Sequence, residues 1–344
     1  MALGRGFGHG ATLGAGISLS LRRARPEAQS PSAPDGARRR LRPRLAKPSY
    51  AGSGDGLRER SERAKKGRTL VTDAQRAADK RASVKLTTEW DAELYFKFGA
   101  ARARPALDLL SRVDFTPKRI VDLGCGPGVS TQMLRQRFPE ADILAVANSD
   151  EMLAEARRVL PDMRFEETDI AEWRPQEPPD LIFANSSLQW LTTHETLFPR
   201  LMSDLAEGGA LAVQMADNLH EPSHALMRMI AADGPWRDRL KPIAKTRAVI
   251  GAHSDYFAWL TPLAERLDIW ETTYVHPLSG VDEVVEWFRS GSLRAFLDPL
   301  DRDERVQFLE RYERDLADAY DVAPDGGLLF LYPRLFLYAR KGAG

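Results

Sequence analysis

The chain has 344 residues, 43% hydrophobic and 28% charged, with 49 Lys and Arg against 49 Asp and Glu, enough for one large domain with a sizeable core. Its single cysteine excludes a disulfide framework and any cysteine-cluster metal site, and no apolar run reaches the roughly 18 residues that span a bilayer. The zero balance averages two unlike pieces: residues 1–88 hold 20 basic and 7 acidic side chains, which leaves 29 and 42 for the remainder.

Residues 1–88 are rich in Arg, Ala, Gly, Ser and Pro and poor in aromatic and β-branched side chains. Such a segment buries too little apolar area to offset its ordering entropy. It reads as a disordered basic extension with one short helical stretch at Asp73–Ala82. An Arg-rich, acid-poor segment suits a tail that touches nucleic acid or an acidic surface, an organelle transit peptide, or a solvated tail with no specific role. In one version of the last reading, translation begins near Val84. A secretory signal fits worst, because the modest apolar stretch Ala11–Leu21 runs into Arg22 and Arg23.

From Trp90 the composition is that of a globular domain. Trp90, Leu94, Tyr95 and Phe98 recur at helical spacing, and Pro105 suits the first turn of a second helix over Pro105–Arg112. Strands and helices then alternate: strand Arg119–Leu123, turn Gly124–Gly128, helix Ser130–Phe138, strand Asp142–Ala147, helix Asp150–Leu160, and strands Met163–Glu166 and Pro179–Ala184. Helix His194–Leu205 ends at Gly208-Gly209, and strand Ala210–Met215 follows. This alternation predicts a parallel sheet covered by helices on both faces. Residues 217–267 read as helical, Leu267–Tyr274 as a strand and Val281–Tyr320 as two or more helices. Gly327–Arg340 reads as a long strand or strand pair, which Pro333 keeps from the centre of the sheet.

The run Asp122-Leu123-Gly124-Cys125-Gly126-Pro127-Gly128 joins the first of these strands to its helix. Glycines there admit positive φ and close approach of a ligand, and the helix start offers unpaired N–H groups. This is the usual nucleotide site of a doubly wound sheet. The spacing is G-x-G-x-G, with Val129 where the dinucleotide pattern has its third glycine. Cys125 reads as a small filler of the turn rather than a nucleophile. Asp169, in Thr168-Asp169-Ile170 after the third strand, and Asn185, after the fourth, fall at the same carboxyl edge. The second strand is expected to end in an acid that accepts both ribose hydroxyls, but the residue there is Ala147. Losing such a charge-assisted pair costs about 1.5–3 kcal/mol, unless Asn148 or Asp150 takes over the contact.

With Asp two residues before the first glycine, the turn resembles the first motif of class I S-adenosylmethionine methyltransferases. From Trp90 onward the chain resembles trans-aconitate methyltransferases, a family of such enzymes. The likeness runs through Trp90-Asp91, Leu94-Tyr95, Phe98, Arg102-Ala103-Arg104-Pro105, Val121–Gly128, Met152–Arg157 and Asp180–Trp190. It continues through Leu197–Leu201, Leu211–Asn218, Glu221-Pro222, Asp268–Tyr274 and Tyr332–Phe336, so that it covers nearly all of residues 89–340. The glycine motif is shared across the superfamily, whereas the strings around Gln189-Trp190 and Gln214–Asn218 are more specific. Ala147 and Val129 depart from the family, standing where it carries Asp and Asn. The resemblance implies an α/β, Rossmann-like class I methyltransferase fold over 89–340: a seven-stranded, mostly parallel sheet with flanking helices and a helical substrate cap within 217–330. It implies S-adenosyl-L-methionine as the cofactor, held by Asp122, Gly124, Gly126, Gly128, Asn148, Asp169, Ile170 and Asn185.

The implied reaction is O-methylation of one carboxylate of trans-aconitate or a related tricarboxylate. A carboxylate is already ionised at neutral pH and needs no general base, so positioning dominates and no catalytic acid or base is expected. Arginine's planar fork suits carboxylates. Arg104 and Arg334 are the first candidates, with Arg102 and Arg228 behind them and Tyr95, Gln189, Trp190 and Trp270 as walls. Arg334 lies in an apolar stretch, where an unpaired charge is costly, so it should have an anionic partner: a substrate, or a structural Asp or Glu. His224 could donate to a substrate carboxylate or fill core; His194 starts a helix, and Tyr256 has no obvious base beside it. The six histidines show no metal spacing. The expected partner is a small tricarboxylic acid, with no membrane or nucleic acid, for a cytoplasmic monomer. Three alternatives stand beside this reading. They are a methyltransferase for another small acid, a degenerate fold member that binds without catalysis (favoured by Ala147 and Val129), and a nucleic-acid methyltransferase. The last is the weakest, since the domain is acidic and lacks an Asn/Asp-Pro-Pro-Tyr motif.

Overall fold

The computed structural model describes residues 90–245 and 250–342. The expected extension over 1–88, its helical stretch Asp73–Ala82 and the start near Val84 lie outside the described residues. Seven strands form one sheet in the order β3-β2-β1-β4-β5-β7-β6. They are β1 (Arg119–Leu123), β2 (Asp142–Ala147), β3 (Arg164–Glu167), β4 (Leu181–Asn185), β5 (Ala210–Ala216), β6 (Ala264–Leu278) and β7 (Leu328–Lys341). β1 to β5 pair in parallel. β7 runs antiparallel between β5 and β6.

The helices are α1 (Ala92–Lys97), α2 (Gly99–Leu110), α3 (Val129–Arg137), α4 (Asp150–Val159), α5 (His194–Asp204), α6 (Pro222–Ala232), α7 (Arg237–Leu240), α8 (His253–Leu260), α9 (Val281–Arg289), α10 (Ser292–Leu297) and α11 (Arg302–Ala319). Local chemistry sets several of their starts. Asp91 caps α1 by accepting from the Leu94 N–H at 3.0 Å. Asp301 and Glu304 close a reciprocal capping box on α11, each satisfying an N–H that the helix leaves free.

Period-two alternation sorts the strand residues between two apolar layers. On one face Val121, Ile182, Val213 and Leu337 pack with Phe198 and Leu201 of α5 and Tyr256 and Leu260 of α8. On the other, Ile120, Phe183, Ala212, Phe336 and Tyr338 pack with Leu109 of α2 and Leu134 of α3. A third core joins α6, α7, α9, α10 and α11 to Phe98 and to the end of β7, with Trp287, Phe308 and Phe330 at its centre.

Three expectations need correction. Pro105 lies inside α2 rather than in its first turn, because the helix already begins at Gly99. The strand expected at Leu267–Tyr274 is present but longer, running over Ala264–Leu278 as β6 at the sheet's edge, and α8, from the stretch read as helical, packs on α5 and β6 rather than with the cap helices. Pro333 does not push its strand outward. Its carbonyl accepts from the Asp217 N–H at 3.0 Å, so its backbone polar groups face β5 one step beyond the last paired residues, Ala216 and Arg334. Its missing N–H therefore falls where that ladder has ended, and the pairing to β6 loses nothing. Among the described residues no helix is long and apolar enough to cross a membrane.

Phe336 is fully buried and stacks on Trp270 with ring centroids 4.9 Å apart. Phe336→Ala should lower the unfolding free energy by about 3–5 kcal/mol, read as a lower urea midpoint at unchanged slope.

Candidate functional site

The same alternation aligns polar side chains on one sheet face at the carboxyl edge. Asp122 of β1, Asn185 of β4 and Gln214 of β5 share the face of Ile120, Phe183 and Ala212. Antiparallel β7 adds Arg334, in register with Ala216. A cleft of about 480 Å³ opens above this edge. One half of its wall is Gly124, Gly126, Val129, Ala147, Asn148, Asp169, Ile170 and Asn185; the other half includes Tyr95, Arg102, Gln189, Trp190, Trp287, Tyr332 and Arg334.

The first half is built by the glycine turn. The Gly124 and Cys125 N–H groups both donate to the Val146 carbonyl, at 2.8 and 2.9 Å, so the turn folds back onto β2. Gly124 has φ +88°, and a Cβ there would lie 2.2 Å from the Ser187 Cβ; only glycine fits. Asp122 and Gly128 do not reach the cleft, which corrects the expectation for both. Asp122 is wholly buried and its Oδ2 accepts from the Ser130 and Thr131 hydroxyls at 2.8 and 2.6 Å, tethering the first turn of α3. Burial pushes its carboxyl up to about 6. Gly128 lets α3 start against Ala156 of α4. Burial, followed by the Asp122 charge, pushes the Cys125 thiol up, which suits a filler and not a nucleophile.

A nucleoside with an attached amino-acid chain fits this half. The turn presents bare glycine backbone, and the Asn185 Oδ1 is buried without a partner in the wall. Asp169 also lines the cleft, with its Oδ1 accepting from the Ala171 N–H at 2.9 Å, so one oxygen serves the turn. Ala147 lies in the wall, a methyl group where an acid was expected.

The second half is cationic and aromatic. Arg334 is 4% exposed. Its Nη1 donates to the Ser186 hydroxyl at 2.9 Å and to Gln214 Oε1 at 3.1 Å, its guanidinium lies 4.4 Å from the Tyr332 ring centroid, and its Nε is buried without a partner. No carboxylate among the described residues pairs with it. The anionic partner expected for Arg334 is therefore not found among the described side chains. Arg102 stacks on Tyr95 and Trp287 at 4.7 and 4.8 Å. It donates to the Trp287 carbonyl and the Ser290 hydroxyl at 2.6 and 2.9 Å, and its Nε is also an orphan. Burial pushes both guanidiniums down and the Tyr95 phenol up.

Arg104 and Trp270 stay out of the cleft. Two residues along a helix turn a side chain by about 200°, so with Arg102 facing in, Arg104 points out and covers Tyr274 at 5.0 Å. Trp270 shares a face with Tyr274, but it is paired with Phe336, deeper in the sheet than Arg334, where Arg112 covers it at 4.6 Å. Arg228 donates to the Leu219 carbonyl at 2.8 Å and does not line the cleft. His224 does line it, edge-on to Phe288.

Tyr256 does have a histidine beside it. Its hydroxyl accepts from the Gly251 N–H at 3.2 Å and lies 2.7 Å from His194 Nδ1, whose Nε2 reaches the Leu188 carbonyl at 2.8 Å. The Leu188 carbonyl can only accept, so His194 carries a proton on Nε2; burial lowers the His194 pKa, which favours the neutral ring with Nδ1 accepting from the Tyr256 hydroxyl. The network lies behind the 3₁₀ turn Leu188–Trp190 and fixes it from the far side. The residues that sequence reasoning missed are Trp287, Ser290, Tyr332, Ser186 and Gln214. Only Ser186 and Gln214 carried a signal, as polar side chains in or beside the apolar strings of β4 and β5.

A family model described as a methyltransferase domain matches residues 120–209, which include the glycine turn. Trans-aconitate 2-methyltransferase of Methylobacterium nodulans is 54% identical over 254 residues, covering 74% of this chain and 98% of that protein. The proteins of the same name from Acidovorax ebreus and from Yersinia pestis are each 48% identical over 98% of their lengths and 74% and 73% of this chain.

Folding raises the Asp122 pKa from 3.8 to about 6, so between those values the folded chain holds a proton that the unfolded chain has released. Stability from this group is full below pH 4 and is lost as pH rises through 6. Asp122→Asn removes the titration. Urea unfolding at pH 4 and pH 7 should show the variant gaining on the parent by up to about 3 kcal/mol at the higher pH. An equal difference at both pH values contradicts the assignment.

Proposed function

The chain belongs to the trans-aconitate 2-methyltransferase family, and on that premise we propose that it transfers a methyl group from S-adenosyl-L-methionine to one carboxylate of trans-aconitate, giving a monomethyl ester. The observation that carries the acid side of this reading is the pair of guanidiniums, Arg102 and Arg334, facing one cleft without carboxylate partners among the described residues. A buried cation is costly unless paired, and a polycarboxylate supplies the missing charge.

The donor, when bound, supplies an electrophilic methyl group; Gly124, Gly126, Asn148, Asp169, Ile170 and Asn185 are the residues proposed to hold it. Arg102 and Arg334 bind and orient the acid through charge-assisted hydrogen bonds. Tyr95, Tyr332 and Trp287 hold the guanidinium planes by stacking, which fixes where their free N–H groups point. Gln189 is buried, its Nε2 donating to the Ser186 carbonyl at 2.8 Å and its Oε1 unpaired, and together with Trp190 it closes the side of the cleft next to the glycine turn. No side chain is asked to take a proton, because the reacting oxygen is already an anion at neutral pH. The helices α6, α9, α10 and α11 act as the substrate cap, and action as a cytoplasmic monomer belongs to the same proposal. The alternative of a degenerate, non-catalytic binder rested on Ala147 and Val129, and relatives matched over 98% of their length do not favour it.

The direct test is transfer of a labelled methyl group to trans-aconitate, with the ester identified by mass spectrometry. In that assay Arg334→Ala and Arg102→Ala should each raise KM for the acid by roughly 10- to 150-fold, with S-adenosylhomocysteine binding unchanged. An unchanged KM in both variants removes the clamp assignment. Ala147→Asp restores the strand-end acid and should tighten S-adenosylhomocysteine, measured by calorimetry, by about tenfold or more.

A further inference from the structure

Three side chains form a closed ring at the carboxyl edge of the sheet. Gln214 Oε1 accepts from the Ser186 hydroxyl at 2.9 Å and from Arg334 Nη1 at 3.1 Å. The Ser186 oxygen in turn accepts from Arg334 Nη1 at 2.9 Å. Only the amide oxygen can accept from two donors, which fixes the Gln214 carboxamide with its Nε2 turned away. That Nε2 is buried and unpaired, so the molecule tolerates an orphan donor to keep the oxygen on Arg334. It also tolerates Ser186 at φ +56°, a conformation that non-glycine residues rarely adopt.

Both acceptors in this ring are uncharged. A carboxylate at position 214 would give Arg334 a stronger, charge-assisted bond and would leave no orphan donor. It would also cancel the charge that the acid needs. We infer that Gln214 is a positioning and specificity-determining residue: with Ser186 it holds the Arg334 guanidinium in place as an acceptor without charge, so that its positive charge stays available to the substrate carboxylate. This rests on the reading of Arg334 as an acid-binding residue, and it adds a residue that does not line the cleft itself.

The test is Gln214→Glu in the full chain, a change of one charge at nearly constant volume. Calorimetry is run with S-adenosylhomocysteine and then with trans-aconitate on the S-adenosylhomocysteine complex. The expected result is S-adenosylhomocysteine affinity within about twofold of the parent, a melting temperature no lower, and acid binding weaker by about tenfold or more, the worth of one charge-assisted bond. A purely structural glutamine would instead lower the melting temperature and leave acid affinity in place. Acid binding within about twofold of the parent, with the other readings held, overturns the inference. Should the parent itself bind no acid, the reading of the reaction falls first and the inference falls with it. If Gln214→Glu does not fold, Ser186→Ala removes the other uncharged acceptor. It should raise KM for the acid severalfold at unchanged kcat, and an unchanged KM overturns the inference.

Discussion

The ladder between β5 and β7 is the constraint on which the site depends. Parallel strands alone can place Asp122, Asn185 and Gln214 at one edge, because each strand ends there and each contributes one residue to the same face. None of the five parallel strands ends in a cation. The antiparallel strand brings one: Ala216 pairs with Arg334, and Gln214 pairs with Phe336, which makes Gln214 and Arg334 diagonal neighbours on one face. A register slip of one residue would turn Arg334 to the layer of Leu335 and Leu337. The apolar residues Phe336 and Tyr338, sealed against α2 and α3, therefore hold the guanidinium in place.

Around that cation the protein uses polarisable and neutral groups rather than counter-charges. Surface ion pairs are plentiful, among them Arg294 with Glu151 and Arg266 with Asp114, so the absence, among the described residues, of carboxylates beside Arg102 and Arg334 is not a shortage of acids in an acidic domain. Aromatic faces stabilise the guanidiniums without neutralising them. Nearby His276 is kept uncharged, its pKa lowered to about 4 by burial and then by the fields of Arg334, Arg104 and Arg102. The local cost is visible as orphan nitrogens and one strained serine, which is where functional strain is expected to collect.

The sheet was legible from Arg119 to Ala216 because β1, β2, β4 and β5 are short, largely apolar runs bounded by turn residues; β1 and β2 match the expected limits to the residue. The glycine turn was legible for the same reason. Choosing between Arg102 and Arg104 was not, because the choice depends on helix phase: α2 starts at Gly99 and carries Pro105 inside it, not at its start. Trp270 misled because its neighbours in sequence resemble the family, while its depth in the sheet is set by a strand some 60 residues later in the chain. Pro333 misled because a proline's effect depends on whether the neighbouring strand is still present beside it. The link from Tyr256 to His194 spans 62 residues and has no local signature at all.

The order of the strands also bears on how the molecule is made. Synthesis delivers β1 to β5 first, and these contain the glycine turn, the tether of Asp122 and the turn that carries Gln189. The cationic and aromatic half of the cleft is split between Tyr95 and Arg102, among the earliest described residues, and Tyr332 and Arg334, among the last. Until β7 emerges and slots between β5 and β6, Gln214 has no guanidinium to accept from, and the edge of β5 is open to any extended segment that reaches it. A chain that stops short of residue 334 therefore carries the glycine turn without the Arg334 side of the cleft.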